Sequence, residues 1–182
     1  MITELRRPKA RALAAFADLL KYPREDYLEK CKLAKSSVEI FYPQVSQLMA
    51  VFCSKIKELS FDQTEEIFTR TFDMAPICNP YVTTYLYGDE NFERGTFMTL
   101  LAQRYKESNF ELTGELPDHI AVILEFAPQF DQDEFNELCE FCLKHTLGEM
   151  TNSLDQAGSI YSNLFKSLMA ILDTGTPEVT KT

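Results

Sequence analysis

Residues 43–59 read PQVSQLMAVFCSKIKEL and carry a strong helical pattern. The charged side chains Lys55, Lys57 and Glu58 lie mostly to one side of a continuous apolar stripe formed by Val45, Leu48, Met49, Phe52, Ile56 and Leu59. Apolar residues at intervals of three and four are typical of an amphipathic helix with one buried face. Pro43 suits the first helical position, where its missing N–H group is not needed. The stretch therefore predicts a long helix that packs against a core.

Similar spacing on both sides of this stretch predicts helices at 8–22, 25–35, 60–73, 81–87, 91–109, 117–127, 131–145 and 152–171. In the helix at 91–109 we expect Phe97, Leu100, Leu101 and Tyr105 to face inward. No segment alternates strictly between apolar and polar residues as a half-buried strand would. The chain is therefore predicted to be all-α, a compact globular bundle of about eight or nine helices, with one domain over 1–174 and a flexible C-terminal tail over 175–182.

Charge and composition exclude several classes of function. The chain has 182 residues, a formal net charge of −10 and scattered rather than clustered basic residues, so it would repel nucleic acid. It contains no apolar run long enough to cross a membrane, so no stable membrane insertion is expected. Arg11, Asp18 and Lys21 interrupt the apolar residues that follow the basic start, unlike in an export signal. We therefore expect a cytoplasmic protein with five reduced cysteines.

A possible metal or redox motif is formed by Cys139-Glu140-Phe141-Cys142 with His145 three residues later. On a regular helix, Cys139 and Cys142 share a face, but His145 lies about 240° around the axis from Cys139. The three side chains would then not converge on one ion, and no second cysteine pair completes a tetrahedral set. We predict no metal and no cofactor, although a helical metal- or cofactor-dependent enzyme that uses Cys139, Cys142, His145 or His119 stays open as an alternative.

Four segments carry a resemblance to a known family: LLKYP at 19–23, TFD at 71–73, YLYGDENFERG at 85–95 and ELPDHIAVILEF at 115–126. In order, and across about two thirds of the chain, they resemble the redox-enzyme maturation chaperones. This group includes the nitrate reductase delta-subunit (NarJ-like) assembly chaperones and the related TorD and DmsD chaperones. The tyrosine-glycine-aspartate and leucine-proline-aspartate-histidine sequences are most similar to the nitrate reductase branch.

The resemblance implies a non-catalytic, all-helical, TorD-like or NarJ-like cytoplasmic chaperone. Such a protein would bind the N-terminal, twin-arginine-type region of a molybdoenzyme catalytic subunit and assist its maturation and cofactor insertion, here with a nitrate-reductase-like client. The implied peptide-binding residues provide carboxylates, aromatic walls and a shaped loop, and they are Tyr81, Tyr85, Asp89, Glu90, Glu93, Glu115, Pro117, Asp118 and His119. Carboxylates at the rim of an apolar groove suit arginine side chains, which form charge-assisted bidentate hydrogen bonds.

The same residues also have simpler structural interpretations. Asp118 could be a favourable negative charge in the first turn of a helix. His119 could be a structural histidine, and Tyr81 and Tyr85 could belong to the core. An adaptor protein with an unrelated client stays open as well, and the sequence leaves both a monomer and a dimer possible. If Asp118 and His119 lie in the interior, away from any open concavity, the argument that they contact a peptide fails.

Overall fold

The computed structural model describes residues 8–88, 91–112 and 114–174. These residues form ten α-helical segments and no β-sheet, so the all-α prediction is confirmed. The segments are α1 Pro8–Ala14, α2 Tyr27–Val38, α3 Pro43–Lys57, α4 Phe61–Phe72, α5 Val82–Tyr87, α6 Phe92–Glu107, α7 Ile120–Phe126, α8 Gln132–Glu137, α9 Lys144–Gln156 and α10 Ser162–Asp173. Short 3₁₀ turns follow α1 at Ala17–Leu20 and α7 at Ala127–Gln129.

A π-helical segment, Leu138–Leu143, joins α8 directly to α9. The chain therefore runs as one continuous rod from Gln132 to Gln156, and the described residues contain nine separate helices, in agreement with the predicted number. A π-helix has a wider backbone turn than an α-helix and occurs frequently at functional sites. The segment includes both cysteines of the Cys-x-x-Cys sequence, so the regular spacing assumed for that sequence does not apply.

Capping residues and a glycine set several helix ends. Ser60 and Gln63 form a reciprocal capping box at the start of α4, and the side chain of Asn91 caps α6 by accepting from Glu93 N at 2.9 Å. Gly88 follows α5 with a φ of 76°, a left-handed backbone conformation that glycine adopts without steric cost. Side-chain hydrogen bonds satisfy backbone N–H groups that a helix leaves unpaired at its beginning.

Several predicted boundaries were wrong. The helix predicted to end at 145 and the helix predicted to begin at 152 are not separate there, because the chain stays helical from Gln132 to Gln156. The helix predicted at 8–22 ends at Ala14, and a 3₁₀ turn replaces its second half. The helix predicted from Pro117 begins at Ile120, because the residues before it pair with another loop. The helix predicted over 152–171 is interrupted near Gly158, whose φ is 63°, so the three-and-four spacing continues across a turn between α9 and α10. Apolar periodicity survives such a turn because both helices face the same core.

The core lies where α3 packs against α2 and α10, and α9 packs against α10. One aromatic cluster joins α3, α4 and α10 through Phe52, Phe68, Phe72, Tyr161 and Phe165. A second cluster joins the end of α6 to α7 through Tyr105, Phe110, Phe126 and Phe130. These tilted and edge-to-face contacts hold α6 and α7 together.

The single domain over 1–174 stays a prediction, and the predicted tail at 175–182 lies outside the described residues. Within the described ranges, every helix is too short or too polar to cross a lipid bilayer.

Candidate functional site

Two loops that carry most of the predicted site residues meet through backbone pairing. Tyr81 and His119 form an antiparallel β-bridge. Val82 N donates to the Asp118 carbonyl oxygen at 3.0 Å, and Ile120 N donates to the Pro80 carbonyl oxygen at 2.8 Å. The bridge closes the loop before α5 onto the loop before α7. It therefore brings Tyr81, Asp118 and His119 together, which their positions in the sequence do not reveal.

Asp118 is fully buried, with an exposed fraction of 0%. The hydroxyl group of the buried Thr83 donates a short hydrogen bond to Asp118 Oδ2, and Asp118 Oδ1 has no hydrogen-bond partner within the part of the chain that the structure describes. The side chain therefore connects its loop to the first turn of α5 and does not present a carboxylate to the surface. Direct contact between Asp118 and a peptide arginine would require this loop to open.

His119 is also buried and acts as the N-cap of α7. Its Nδ1 accepts a hydrogen bond from Ala121 N at 3.2 Å, so the neutral ring carries its proton on Nε2. Burial lowers the pKa of His119, and although Glu115 and Asp118 act in the opposite sense, Lys21 adds to the lowering. The ring is consequently a neutral structural group at neutral pH, packed edge-on against Tyr81 at 5.4 Å between ring centroids.

The part of this loop cluster that reaches the surface consists of Tyr81, Glu115 and Leu116. The Tyr81 hydroxyl lies 3.4 Å from Glu115 Oε2. The pKa of Tyr81 is raised, mainly by burial and to a smaller extent by the negative charge of Glu115. The half-buried Pro117 accepts from the Tyr105 hydroxyl at 2.9 Å through its carbonyl oxygen, which ties the loop to α6. This rim offers one carboxylate and a small apolar surface.

The remaining predicted site residues are not part of this cluster. The Tyr85 hydroxyl donates to the Asn79 carbonyl oxygen at 3.1 Å and lies close to Cys78, so its polar tip has different partners from that of Tyr81. Glu93 is exposed in the first turn of α6. Asp89 and Glu90 lie outside the described residues. The burial of Asp118 and His119 removes the argument that these two side chains contact a peptide directly, and a peptide-binding role for the other residues of the set stays a prediction.

An apolar groove, which the sequence analysis did not identify, lies between α6 and the rod that begins with α8. It has a volume of about 470 Å³, and its apolar walls come from Phe97, Leu100, Leu101, Phe130, Leu138, Phe141 and Cys142. Leu100 and Phe141 are 60% and 73% exposed. The prediction that Leu100 faces inward was therefore wrong, because no helix covers that side of α6 in the described structure.

Charged residues line the rim of this groove. Three carboxylates, Glu107, Glu134 and Glu137, lie among its lining residues. Arg104 is held in place by Glu134, with Nε at 3.1 Å and 3.2 Å from its two carboxylate oxygens, and its guanidinium group lies 5.8 Å from the Phe126 ring centroid. The rim therefore has a net negative charge next to apolar walls.

The groove and the loop cluster lie at opposite ends of α5. Tyr81 precedes this helix beside His119, and Tyr87 at its other end packs against Phe97 of the groove at 6.1 Å between ring centroids. A second hollow, of about 500 Å³, is lined by the first half of α6 and shares Leu100 with the groove. Apolar residues on two faces of α6 were the signal in the sequence that could have revealed this surface.

The alternative metal site does not assemble in the structure. Among residues 8–88, 91–112 and 114–174, no three His, Cys, Asp or Glu side chains form a group that could hold a metal ion. Cys139 is buried, and burial raises its pKa to about 11. Burial also raises the pKa of Cys142, whose side chain lines the groove. His145 is exposed in α9.

The described residues form an all-helical protein with an open apolar groove. Comparison with known proteins identifies its family. The family model described as nitrate reductase delta subunit matches residues 39–166, and the chain belongs to this family. It is 30% identical over 162 residues to a Bacillus subtilis (strain 168) protein named as the nitrate reductase molybdenum cofactor assembly chaperone NarJ, and the match covers 88% of this chain and 87% of that protein.

A solved structure, described as a redox enzyme maturation protein from Archaeoglobus fulgidus, has the same fold. It matches with a TM-score of 0.63 and 20% sequence identity over 91% of this chain and 94% of its own. The predicted likeness to NarJ-like assembly chaperones and the prediction of a non-enzymatic protein are therefore confirmed.

Proposed function

We propose that this protein is a cytoplasmic assembly chaperone. It binds the N-terminal, twin-arginine-type region of the catalytic subunit of a molybdoenzyme, and that enzyme is similar to nitrate reductase. The observation that carries this proposal is the near full-length similarity to a relative named for molybdenum cofactor assembly in nitrate reductase. The five free cysteines are consistent with a reducing compartment.

The groove beside α6 is the surface on which the client peptide would lie. A twin-arginine-type peptide is cationic at one end and apolar in its middle. The walls around Leu100 and Phe141 would bury the apolar part, and the carboxylates of Glu107 and Glu137 would attract the cationic end. The net charge of −10 favours encounter with such a peptide.

The loop cluster contributes in a different way. Asp118 and His119 would hold together the two loops that carry Tyr81 and Glu115, and the half-buried Tyr81 and the exposed Glu115 would make a second, smaller contact with the client. In this proposal the predicted motif residues divide into buried residues that shape the surface and exposed residues that touch the peptide.

Isothermal titration calorimetry with the N-terminal peptide of a co-encoded oxidoreductase tests the proposal. We expect binding by the wild-type protein and a loss of about 10-fold to 100-fold in affinity for Leu100→Asp, since burying one leucine contributes about 1.5–3 kcal/mol. Leu33→Asp is the matched control, because Leu33 is 69% exposed on α2, away from the groove.

Two results would count against the proposal. If neither the peptide nor the full apoprotein of the catalytic subunit binds, the chaperone function with this client is wrong. If the peptide binds but Leu100→Asp and Leu33→Asp have equal affinities, the groove is not the binding surface. Glu115→Gln then measures the contribution of the loop cluster separately.

A further inference from the structure

The groove beside α6 has two different ends. At one end, Arg104 in the second half of α6 faces Glu134 in α8, and its Nε lies 3.1 Å and 3.2 Å from the two carboxylate oxygens. At the other end, Tyr87 of α5 packs against Phe97 in the first half of α6, and α5 also contacts the π-helical segment Leu138–Leu143. The helix α6 and the rod therefore run in opposite directions along the groove.

Charged and apolar lining residues are segregated between these two ends. All the charged residues that line the groove belong to 104–107 in α6 or to 134–137 in the rod. The residues that line it within 97–101 and 138–142 are all apolar. The groove therefore has one acidic end, which also holds a guanidinium group, and one entirely apolar end.

The distance between the ends sets a spacing in any extended peptide that lies in the groove. Phe97 precedes Arg104 by seven positions in one continuous helix, so the two residues are about 10 Å apart along its axis. An extended chain advances about 3.3 Å per residue, so about three residues span this distance. A peptide that places a cationic side chain at the acidic end would place an apolar side chain about three residues away at the other end.

The three carboxylates at the acidic end are not equally available. Arg104 and the backbone N–H group at the start of α8 engage Glu134. Gln103 donates a hydrogen bond to Glu107 Oε1 at 2.9 Å. Glu137 is exposed, and its side chain makes no hydrogen bond or ion pair with the residues that the structure describes. Glu137 is therefore the carboxylate that a cationic group of the client can bind without breaking an existing contact.

Arg104 keeps a second cation away from Glu134. Its Nη1 donates to Ser108 Oγ at 2.8 Å, and its Nη2 donates to the Gln129 carbonyl oxygen at 3.2 Å. Because these contacts hold the guanidinium group in place, its positive charge stays next to Glu134. Like charges repel, so a client cation is directed to Glu137, one turn further along the rod toward the apolar end.

We propose that Glu137 selects a cationic side chain of the client peptide, and that an apolar side chain about three residues away lies between Phe97 and Phe141. Arg104 is a positioning residue, because it occupies Glu134 and leaves Glu137 to the client. This inference rests on the proposed function, and it adds the direction and the spacing of the bound segment.

Isothermal titration calorimetry with the N-terminal peptide of a co-encoded oxidoreductase tests the role of Glu137. Each arginine of the peptide is replaced in turn by citrulline, which keeps the shape of the side chain and removes its charge. We expect one replacement to weaken binding to the wild-type protein about two-fold to five-fold, the range for an exposed ion pair. Glu137→Gln should weaken binding equally and remove the effect of that replacement. The control Glu140→Gln should leave both affinities unchanged, because Glu140 pairs with Lys144 outside the groove.

The role of Arg104 is tested in the same assay. Arg104→Gln frees the carboxylate of Glu134 and should raise the affinity for the peptide about two-fold to five-fold. Adding Glu134→Gln to this variant should abolish the gain. If Arg104 only supported the fold, Arg104→Gln would lower the affinity, and that result would overturn its assignment as a positioning residue. Circular dichroism verifies that each variant is folded.

Photo-cross-linking tests the direction of the peptide. A benzoylphenylalanine residue is placed either directly beside the arginine identified with citrulline, or three positions from it toward the apolar part of the peptide. We expect the first peptide to cross-link to 103–107 or 134–137 and the second to 97–101 or 138–142. The reverse pattern, or equal affinities of Glu137→Gln and Glu140→Gln, would overturn the inference and leave the proposed function intact. Absence of binding to the wild-type protein would overturn both.

Discussion

The hydrogen bond between Thr83 and Asp118 should stabilise the protein, and replacing Thr83 by valine tests this directly. Both side chains are fully buried, and Asp118 Oδ2 accepts a hydrogen bond from the Thr83 hydroxyl group. The other oxygen of Asp118 already has no partner within the described ranges. Thr83→Val keeps the shape of the side chain but removes that donor, so it leaves the buried carboxyl group without its side-chain partner.

The expected cost follows from the burial of the acceptor. A buried polar group that loses its partner destabilises a protein by about 1–3 kcal/mol. For a chain of this length, each kcal/mol corresponds to a change of about 2–4 °C in Tm. We therefore expect Thr83→Val to lower the free energy of unfolding by about 1–3 kcal/mol and the Tm by about 2–12 °C.

Thr146→Val is the matched control for this measurement. Thr146 is equally buried, but its hydroxyl group has no hydrogen-bond partner in the described part of the chain. The same substitution there removes an unsatisfied polar group and should leave the free energy of unfolding unchanged or raise it. Urea unfolding followed by circular dichroism gives both values. Equal destabilisation by Thr83→Val and Thr146→Val would refute the reasoning, because the effect would then come from side-chain shape alone.

Three further predictions address other parts of the molecule. Burial lowers the pKa of His119, so below about pH 6.5 the unfolded chain binds more protons than the native protein, and the free energy of unfolding should fall as pH decreases. His119→Asn keeps a capping side chain and should reduce the dependence of the free energy of unfolding on pH, as measured by urea titrations at several pH values. The same pH dependence in the wild-type protein and in His119→Asn would contradict this assignment to His119. Ser60→Ala removes the α4 capping box and should lower the free energy of unfolding by about 0.5–2 kcal/mol. The control Ser36→Ala, at an exposed position, should change it less. Equal changes in the two variants would show that the cap does not stabilise the protein. Phe165→Ala should lower it by about 3–5 kcal/mol in the same assay, because the ring is fully buried in the aromatic cluster, and a loss below 1 kcal/mol would contradict the packing described.

The elements predicted correctly from the sequence are those that local chemistry determines. The helices predicted at 60–73, 81–87 and 91–109 lie close to their predicted ranges, because the capping box at Ser60, the turn at Gly88 and the cap at Asn91 depend only on neighbouring residues. The break near Gly158 was missed because the apolar residues on both sides face one core, and their spacing hides the turn between two helices.

The features missed in the candidate site depend on long-range contacts. The bridge between Tyr81 and His119 joins segments that no local pattern connects. The exposure of Leu100 depends on the absence of a covering helix in the described structure, which the sequence of α6 alone does not indicate. Spacing within one helix shows that a residue is apolar, but only the neighbouring elements determine whether it is covered.

The burial of Asp118 changes how the family motif should be interpreted. A residue that contacts a client peptide must be reachable, whereas Asp118 has no exposed surface and accepts a hydrogen bond from Thr83. Its loop nevertheless carries Glu115 to the surface, and α5 connects that loop to the groove through Tyr87 and Phe97. The motif therefore fixes the position of one end of α5, and under the proposed function the residues that select the client should lie on the exposed walls of the groove. Substitutions in the motif should then reduce stability and binding together, while substitutions on the walls should reduce binding alone.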